Sequence, residues 1–222
     1  MLIVGGDSFC NWPLEELDGH RQNCWPALLA KDLNLELKDF SRAGCSNDRI
    51  FRYVLPNISE SSALVVVLWS STSRYEFTNP QTSKIVSNLS SHDTYVLQDW
   101  YLNYCRTLLY SLSISNTCKL MNVPFVQRFV FTHDCWWDNT LESFIKQLRD
   151  NLLFDNLPDD IIQERFDYLK SLYNSIDSVN LNNSIQSFVE TSVEYKNHPT
   201  HYGHKQIRDN IIEEIKWQNL ST

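Results

Sequence analysis

The apolar run from Ala63 to Trp69, Ala-Leu-Val-Val-Val-Leu-Trp, constrains the fold more than any other segment. Its three consecutive valines are branched at Cβ, which disfavours a helix and suits a pleated surface. The run is continuous, with no alternation of apolar and polar residues. That pattern reads as a strand covered on both faces, as in a parallel sheet between helical layers. It is also far shorter than the ~20 apolar residues of a membrane-spanning helix, and no other run exceeds it, so no membrane partner is expected.

Three further short apolar runs read as strands: Leu2 to Gly5, Leu35 to Phe40, and Phe125 to Phe131. Helical signals separate them. Trp25 to Leu33 has Pro26 in its first turn, where a missing amide costs nothing. Ser46 is placed to cap a helix carrying Ile50, Phe51 and Val54. Tyr95, Val96, Trp100, Tyr104, Leu108 and Leu112 recur at helical spacing between Asp93 and Leu120, a face read as core. Amphipathic stretches follow over Leu141 to Leu153, Asp159 to Tyr173 and Gly203 to Trp217. Strands alternating with helices imply parallel crossovers. The expected fold is a single domain, residues 1–222, built as a three-layer α/β/α sandwich on a mainly parallel sheet of about five strands. The fifth strand is placed near Ser187 to Val193. The polar stretch Thr78 to Ser91 follows the third strand, over the sheet end where such folds bind ligands, and reads equally as a lid or a solvated connection.

Charge narrows the partners. With 19 basic against 27 acidic side chains, a net charge of −8 and scattered arginines, the chain lacks the basic patch that nucleic acid requires. The six cysteines stand singly without a C-x-x-C pair, which argues for buried reduced thiols over zinc or disulfides. Met1 to Val4 has no basic leader and runs directly into Gly5-Gly6-Asp7, so no secretory signal is read and a cytoplasmic location is expected. Nothing in the sequence sets the oligomeric state.

Only five glycines occur, and four of them fall at element ends: Gly5, Gly6, Gly44 and Gly203. Glycine allows positive φ and close backbone approach in turns that present amides to a ligand. Three of these turns carry chemistry: Gly6-Asp7-Ser8-Phe9, Arg42-Ala43-Gly44-Cys45-Ser46-Asn47, and His198-Pro199 followed by Gly203-His204.

In this order and placement the three turns resemble the blocks of the SGNH (GDSL-type) hydrolases. The resemblance spans residues 6 to 204 and implies a flavodoxin-like sandwich with an esterase site. It makes Ser8 the nucleophile, His198 the base, and the amides of Ser8 and Gly44 oxyanion donors. Two positions depart from the family pattern. Where its Gly-x-Asn-Asp block belongs, this chain reads Trp69-Ser70-Ser71-Thr72-Ser73-Arg74, leaving Ser71 or Asn47 to complete the oxyanion hole. The family's aspartate three residues before the histidine is replaced by Tyr195, and the nearest carboxylate is Glu194. Either Glu194 completes a triad or Ser8 and His198 work as a dyad.

The residues also admit other readings. His198, His201 and His204 share a spacing of three, but Pro199 and Gly203 interrupt any helix between them, so no metal is expected. Asp7 reads as a hydrogen-bonding turn residue. Arg74 and Glu76 either bind a polar substrate or pair with each other; Trp12 and His133 are further substrate-contact candidates. The expected function is cleavage of an ester, a small acyl group on a carbohydrate or other polar carrier, through an acyl-enzyme and without a cofactor. The alternative is a degenerate module on the same fold that binds glycan or a protein partner.

Overall fold

A computed structural model describes residues 1–11, 20–72, 74–78, 85–88, 100–131, 157–176, 184–192 and 198–220, together with Glu142 and Ile145. Its centre is a parallel sheet of β1 (Leu2–Gly5), β2 (Leu37–Asp39), β3 (Leu64–Trp69) and β6 (Phe125–Phe129), in the order β2-β1-β3-β6. Every residue of β3 is buried, as its unbroken apolar run requires. Its side chains divide by parity. Leu64, Val66 and Leu68 join one core with Trp25, Leu29, Ile207 and Ile211. Val65, Val67 and Trp69 join the other with Ile50, Val54, Leu108 and Leu169.

The two cores are closed by helices on opposite faces. On one lie α2 (Trp25–Asp32) and α6 (His201–Leu220); on the other lie α3 (Asn47–Val54), α4 (Trp100–Leu120) and α5 (Asp159–Ser175). This is a three-layer α/β/α sandwich on a mainly parallel sheet. Tyr104 is buried in the second core, as its periodic spacing anticipates. The Ser46 hydroxyl accepts the Arg49 amide at 3.3 Å and caps α3. Helices α2 and α4 end alike, with Asn34 (φ 52°) and Asn122 (φ 54°) turning the chain through the left-handed region into the next strand. None of the described helices is long and apolar enough to cross a membrane.

Two segments differ from expectation. The stretch after the third strand is not simply a connection: β4 (Tyr75–Thr78) and β5 (Ile85–Asn88) pair antiparallel as a small ribbon. The fifth strand expected near Ser187 to Val193 does not join the parallel sheet. There the Ser184 hydroxyl accepts the Ser187 amide at 3.2 Å and nucleates a single 3-10 turn, Ile185–Ser187. Among the described residues there, Thr191–Ser192 (β7) alone forms a strand, and it pairs antiparallel with His198–Pro199 (β8). Among the described residues the parallel sheet therefore has four strands.

The strand order places the site. From β1 the chain steps to β2 on one side, and later to β3 on the other. The chain leaves β1 and β3 toward opposite faces at this switch point, and in open α/β sheets such a point, at the carboxyl ends of the strands, is where ligands bind.

Candidate active site

Ser8 follows β1 by three residues and opens the short helix α1 (Ser8–Asn11). His198, 190 residues away, arrives on β8 and sets its Nε2 at 2.7 Å from Ser8 Oγ. Phe9 packs beside the imidazole with ring centroids 5.5 Å apart, and Phe131 meets Phe9 edge-on at 5.6 Å. A serine hydroxyl, an imidazole nitrogen and a short aromatic wall thus meet at the switch point.

The Gly44 turn is fastened to the Ser8 turn through one carbonyl. Gly6 O accepts both the Arg42 amide and the Cys45 thiol, each at 3.1 Å. The thiol can serve as donor because burial, followed by the charge of Asp7, pushes its pKa up to about 12. Gly44 itself sits at φ 71°, which a side chain would strain. Among the described residues, neither the Ser8 nor the Gly44 amide is committed to another acceptor.

Asp7 is fully buried, and its carboxylate binds three donors. Oδ1 accepts the Phe9 amide at 3.0 Å; Oδ2 accepts the Ser70 hydroxyl at 3.0 Å and Arg74 Nη1 at 2.7 Å. Nη1 also donates to Ser70 Oγ at 2.7 Å, and the Arg74 guanidinium lies 5.5 Å from the Phe131 ring centroid. Asn47 grips the same loop from the other side. Its Oδ1 accepts the Ser70 amide at 2.8 Å, while Nδ2 donates to Ser70 O and Thr107 Oγ1, both at 3.0 Å.

These contacts redistribute the expected roles. Both N–H groups of Asn47 are engaged, one with Ser70 of the third-strand loop and one with Thr107 of α4. Ser71 is buried in that loop beside Ser70. Arg74 and Glu76 do not pair with each other: Arg74 turns inward to Asp7, and Glu76 forms an ion pair with Arg52 of α3, whose Nη2 lies 3.2 Å from Oε1. His204 is buried on α6 and its Nδ1 accepts the Trp25 amide at 3.3 Å, satisfying an orphan donor at the start of α2. No group of three or more His, Cys, Asp or Glu converges among the described residues. Cys10, Cys24, Cys45, Cys105 and Cys118 are buried and form no disulfide with one another. Trp12, His133, Cys135 and Glu194 lie outside the described residues.

No protein-family model matches the sequence, and no curated protein sequence is significantly similar to it. Solved structures similar to it are SGNH (GDSL-type) lipolytic proteins and esterases that cover most of the chain at low identity. One is a lipolytic protein of the G-D-S-L family from Desulfitobacterium hafniense, at 11% identity and TM-score 0.49, covering 94% of this chain and 95% of that one. Another is a psychrotrophic esterase from Pseudoalteromonas, at 12% identity and TM-score 0.49, with 98% of each chain covered. A phospholipase A1 from Streptomyces albidoflavus aligns at 12% identity and TM-score 0.44, covering 92% and 94%.

Proposed function

We propose that the protein is a serine hydrolase that cleaves esters through an acyl-enzyme. The observation that carries this reading is the 2.7 Å contact between Ser8 Oγ and His198 Nε2 at the switch point of the sheet. A serine hydroxyl becomes a useful nucleophile only when a base takes its proton, and this geometry supplies one. Ser8 donates to Nε2, attacks the ester carbonyl and forms a tetrahedral intermediate. The amides of Ser8 and Gly44, with the Ser71 hydroxyl, face its oxyanion. His198 then returns the proton to the leaving alcohol, and water releases the acyl group by the reverse route.

The Phe9–Phe131 wall beside His198 suits a small acyl group, and we assign as substrate a short-chain ester on a carbohydrate or similar polar carrier. Ser8 and His198 act as a dyad, and Glu194 is the acid of the rival triad. Glu194→Gln is expected to lower turnover less than about tenfold for a dyad, against as much as ~10⁴ for a triad.

A fluorophosphonate probe tests the whole reading. The probe should label Ser8, and Ser8→Ala should abolish both labelling and hydrolysis of aryl acetates. No labelling and no turnover would sink the hydrolase and leave a binding module. Ser71→Ala should lower kcat by ~10²–10³ with KM little changed if its hydroxyl completes the oxyanion hole.

A further inference from the structure

We propose that Arg74 is a positioning residue for the nucleophile, locking the Ser8 turn to the third-strand loop through Asp7. The inference deepens the hydrolase reading and rests on it. It replaces the expectation that Arg74 contacts substrate.

The argument starts from what Asp7 does with its two oxygens. Oδ1 takes the amide of Phe9, the residue directly after Ser8, and so fixes the backbone that carries the nucleophile. Oδ2 takes Arg74 and Ser70, both from the loop after β3. One carboxylate therefore joins the two loops that diverge at the switch point. Without such a tie, nothing in strand pairing sets the distance between them, because β1 and β3 stop pairing at Gly5–Val67.

Arg74 is suited to hold that carboxylate in place. Asp7 is fully buried, and a buried carboxylate needs a compensating charge as well as hydrogen bonds. A guanidinium offers donors in a planar fork, where an ammonium offers a point charge. Here Nη1 reaches Asp7 and Ser70 at the same 2.7 Å, and Phe131 supports the guanidinium. Phe131 in turn packs on Phe9, and Phe9 on His198. Contacts therefore run from Arg74 to both members of the serine–histidine pair, by charge through Asp7 and by packing through two rings. The guanidinium touches neither of them, so its effect on chemistry passes through their placement.

The role predicts a particular kinetic signature. A misplacement of about 1 Å can cost ~10²-fold in rate while leaving ground-state binding alone. Arg74→Ala should therefore lower kcat on aryl acetates, and the rate of fluorophosphonate labelling of Ser8, by ~10–100-fold, with KM within about twofold. Added guanidinium ion at non-denaturing concentration should restore part of the lost rate, and sodium chloride of equal ionic strength should not. A raised KM at unchanged kcat would make Arg74 a substrate contact and overturn the proposal, as would wild-type kinetics. Should Arg74→Ala fail to fold, Arg74→Lys keeps the charge without the fork. It should show the same fall in kcat at constant KM in milder form, and full wild-type turnover would overturn the proposal. If the wild-type protein itself neither labels nor turns over, the hydrolase reading has failed, and the positioning role is then read from the His198 ring nitrogens by NMR. Loss of the Nε2–Ser8 hydrogen-bond signature in the Arg74 variants supports the lock; its persistence overturns it.

Discussion

The turn that carries Ser8 and the turn that carries His198 are held by opposite means. Around Ser8 the work is done by side chains. One buried carboxylate binds a backbone amide, a hydroxyl and a guanidinium, and Asn47 clamps the neighbouring loop. Around His198, among the described residues, it is done by backbone bonds, packing and hydrogen bonds of uncharged or exposed side chains. Thr200 N–H donates to Glu190 O at 3.1 Å, Glu190 N–H donates to Gln206 Oε1 at 2.7 Å, and the first turn of α6 lies directly against the chain at Val189 and Glu190. The difference has an energetic consequence. A buried charge left without its partner is costly at once, whereas a packed backbone contact yields by small displacements. The Ser8 turn should therefore fail by losing stability and reactivity together, and the His198 turn by drifting.

The largest effect is expected at Asp7. Asp7→Ala removes the acceptor of three donors and strands a guanidinium at the sheet end. Breaking such a pair by removing one partner typically costs ~3–5 kcal/mol. For a chain of this size that lowers Tm by roughly 10 °C, with Ser8 labelling lost in parallel. Thermal unfolding followed by circular dichroism checks the first, and the fluorophosphonate probe the second. An Asp7→Ala protein as stable as wild type would erase the contrast between the two turns.

Much of this architecture was legible before any coordinates, and what was not has a common cause. Apolar runs mark β1 and β3 because burial on both faces leaves no polar residue in the pattern. Gly44 is legible because glycine takes φ 71° without strain. The Ser8–His198 meeting was an expectation from motif order, and the structure brings the two side chains together. The Asp7–Arg74 tie was not legible. It joins residues 67 positions apart whose contact depends on how two loops curl beyond the ends of their strands, and sequence spacing carries no signal of that. Arg74 and Glu76, two apart, read naturally as one charge pair, yet each found a different partner on a different element. The same holds for His204, whose helical neighbours say nothing of the Trp25 amide it accepts. The 3-10 turn at Ile185–Ser187 was missed because the Ser184 hydroxyl competes for a backbone amide, which the spacing of apolar residues does not register.

The His198 turn can be strained without touching charge. A Cβ at Gly203 would collide with Glu190 O and stand 2.9 Å from Val189 Cγ1 and 3.2 Å from Pro199 Cβ. The first of these atoms is backbone and cannot rotate aside, so α6 or the β7–β8 ribbon must shift. Gly203→Ala should cost ~1–3 kcal/mol, as overpacking usually does. Because Pro199 follows His198, the displacement reaches the imidazole. Labelling of Ser8 should slow more than the stability loss alone accounts for at a temperature where the variant is folded. Unchanged labelling would show that the base is fixed from elsewhere.

The smallest effect isolates the cap of α6 from its packing. Thr200 Oγ1 accepts the Gly203 amide at 3.0 Å and donates to Glu190 Oε1 at 2.9 Å, so one hydroxyl both caps the helix and touches the adjoining segment. Thr200→Val keeps the branched shape and removes both bonds. The Thr200 amide still donates to Glu190 O, and the His204 amide still donates to Thr200 O at 2.9 Å, so the path of the backbone is retained. Loss of a threonine cap typically costs ~1 kcal/mol, about 2–4 °C in Tm for a chain of this length. Glu190 is exposed, so its share in that loss is small. If backbone packing fixes His198, labelling of Ser8 in Thr200→Val should stay within about twofold of wild type while Tm falls. A drop in labelling as deep as that of Gly203→Ala would mean instead that the hydroxyl, like the carboxylate of Asp7, holds its catalytic partner through side-chain hydrogen bonds, and the two turns would then be alike.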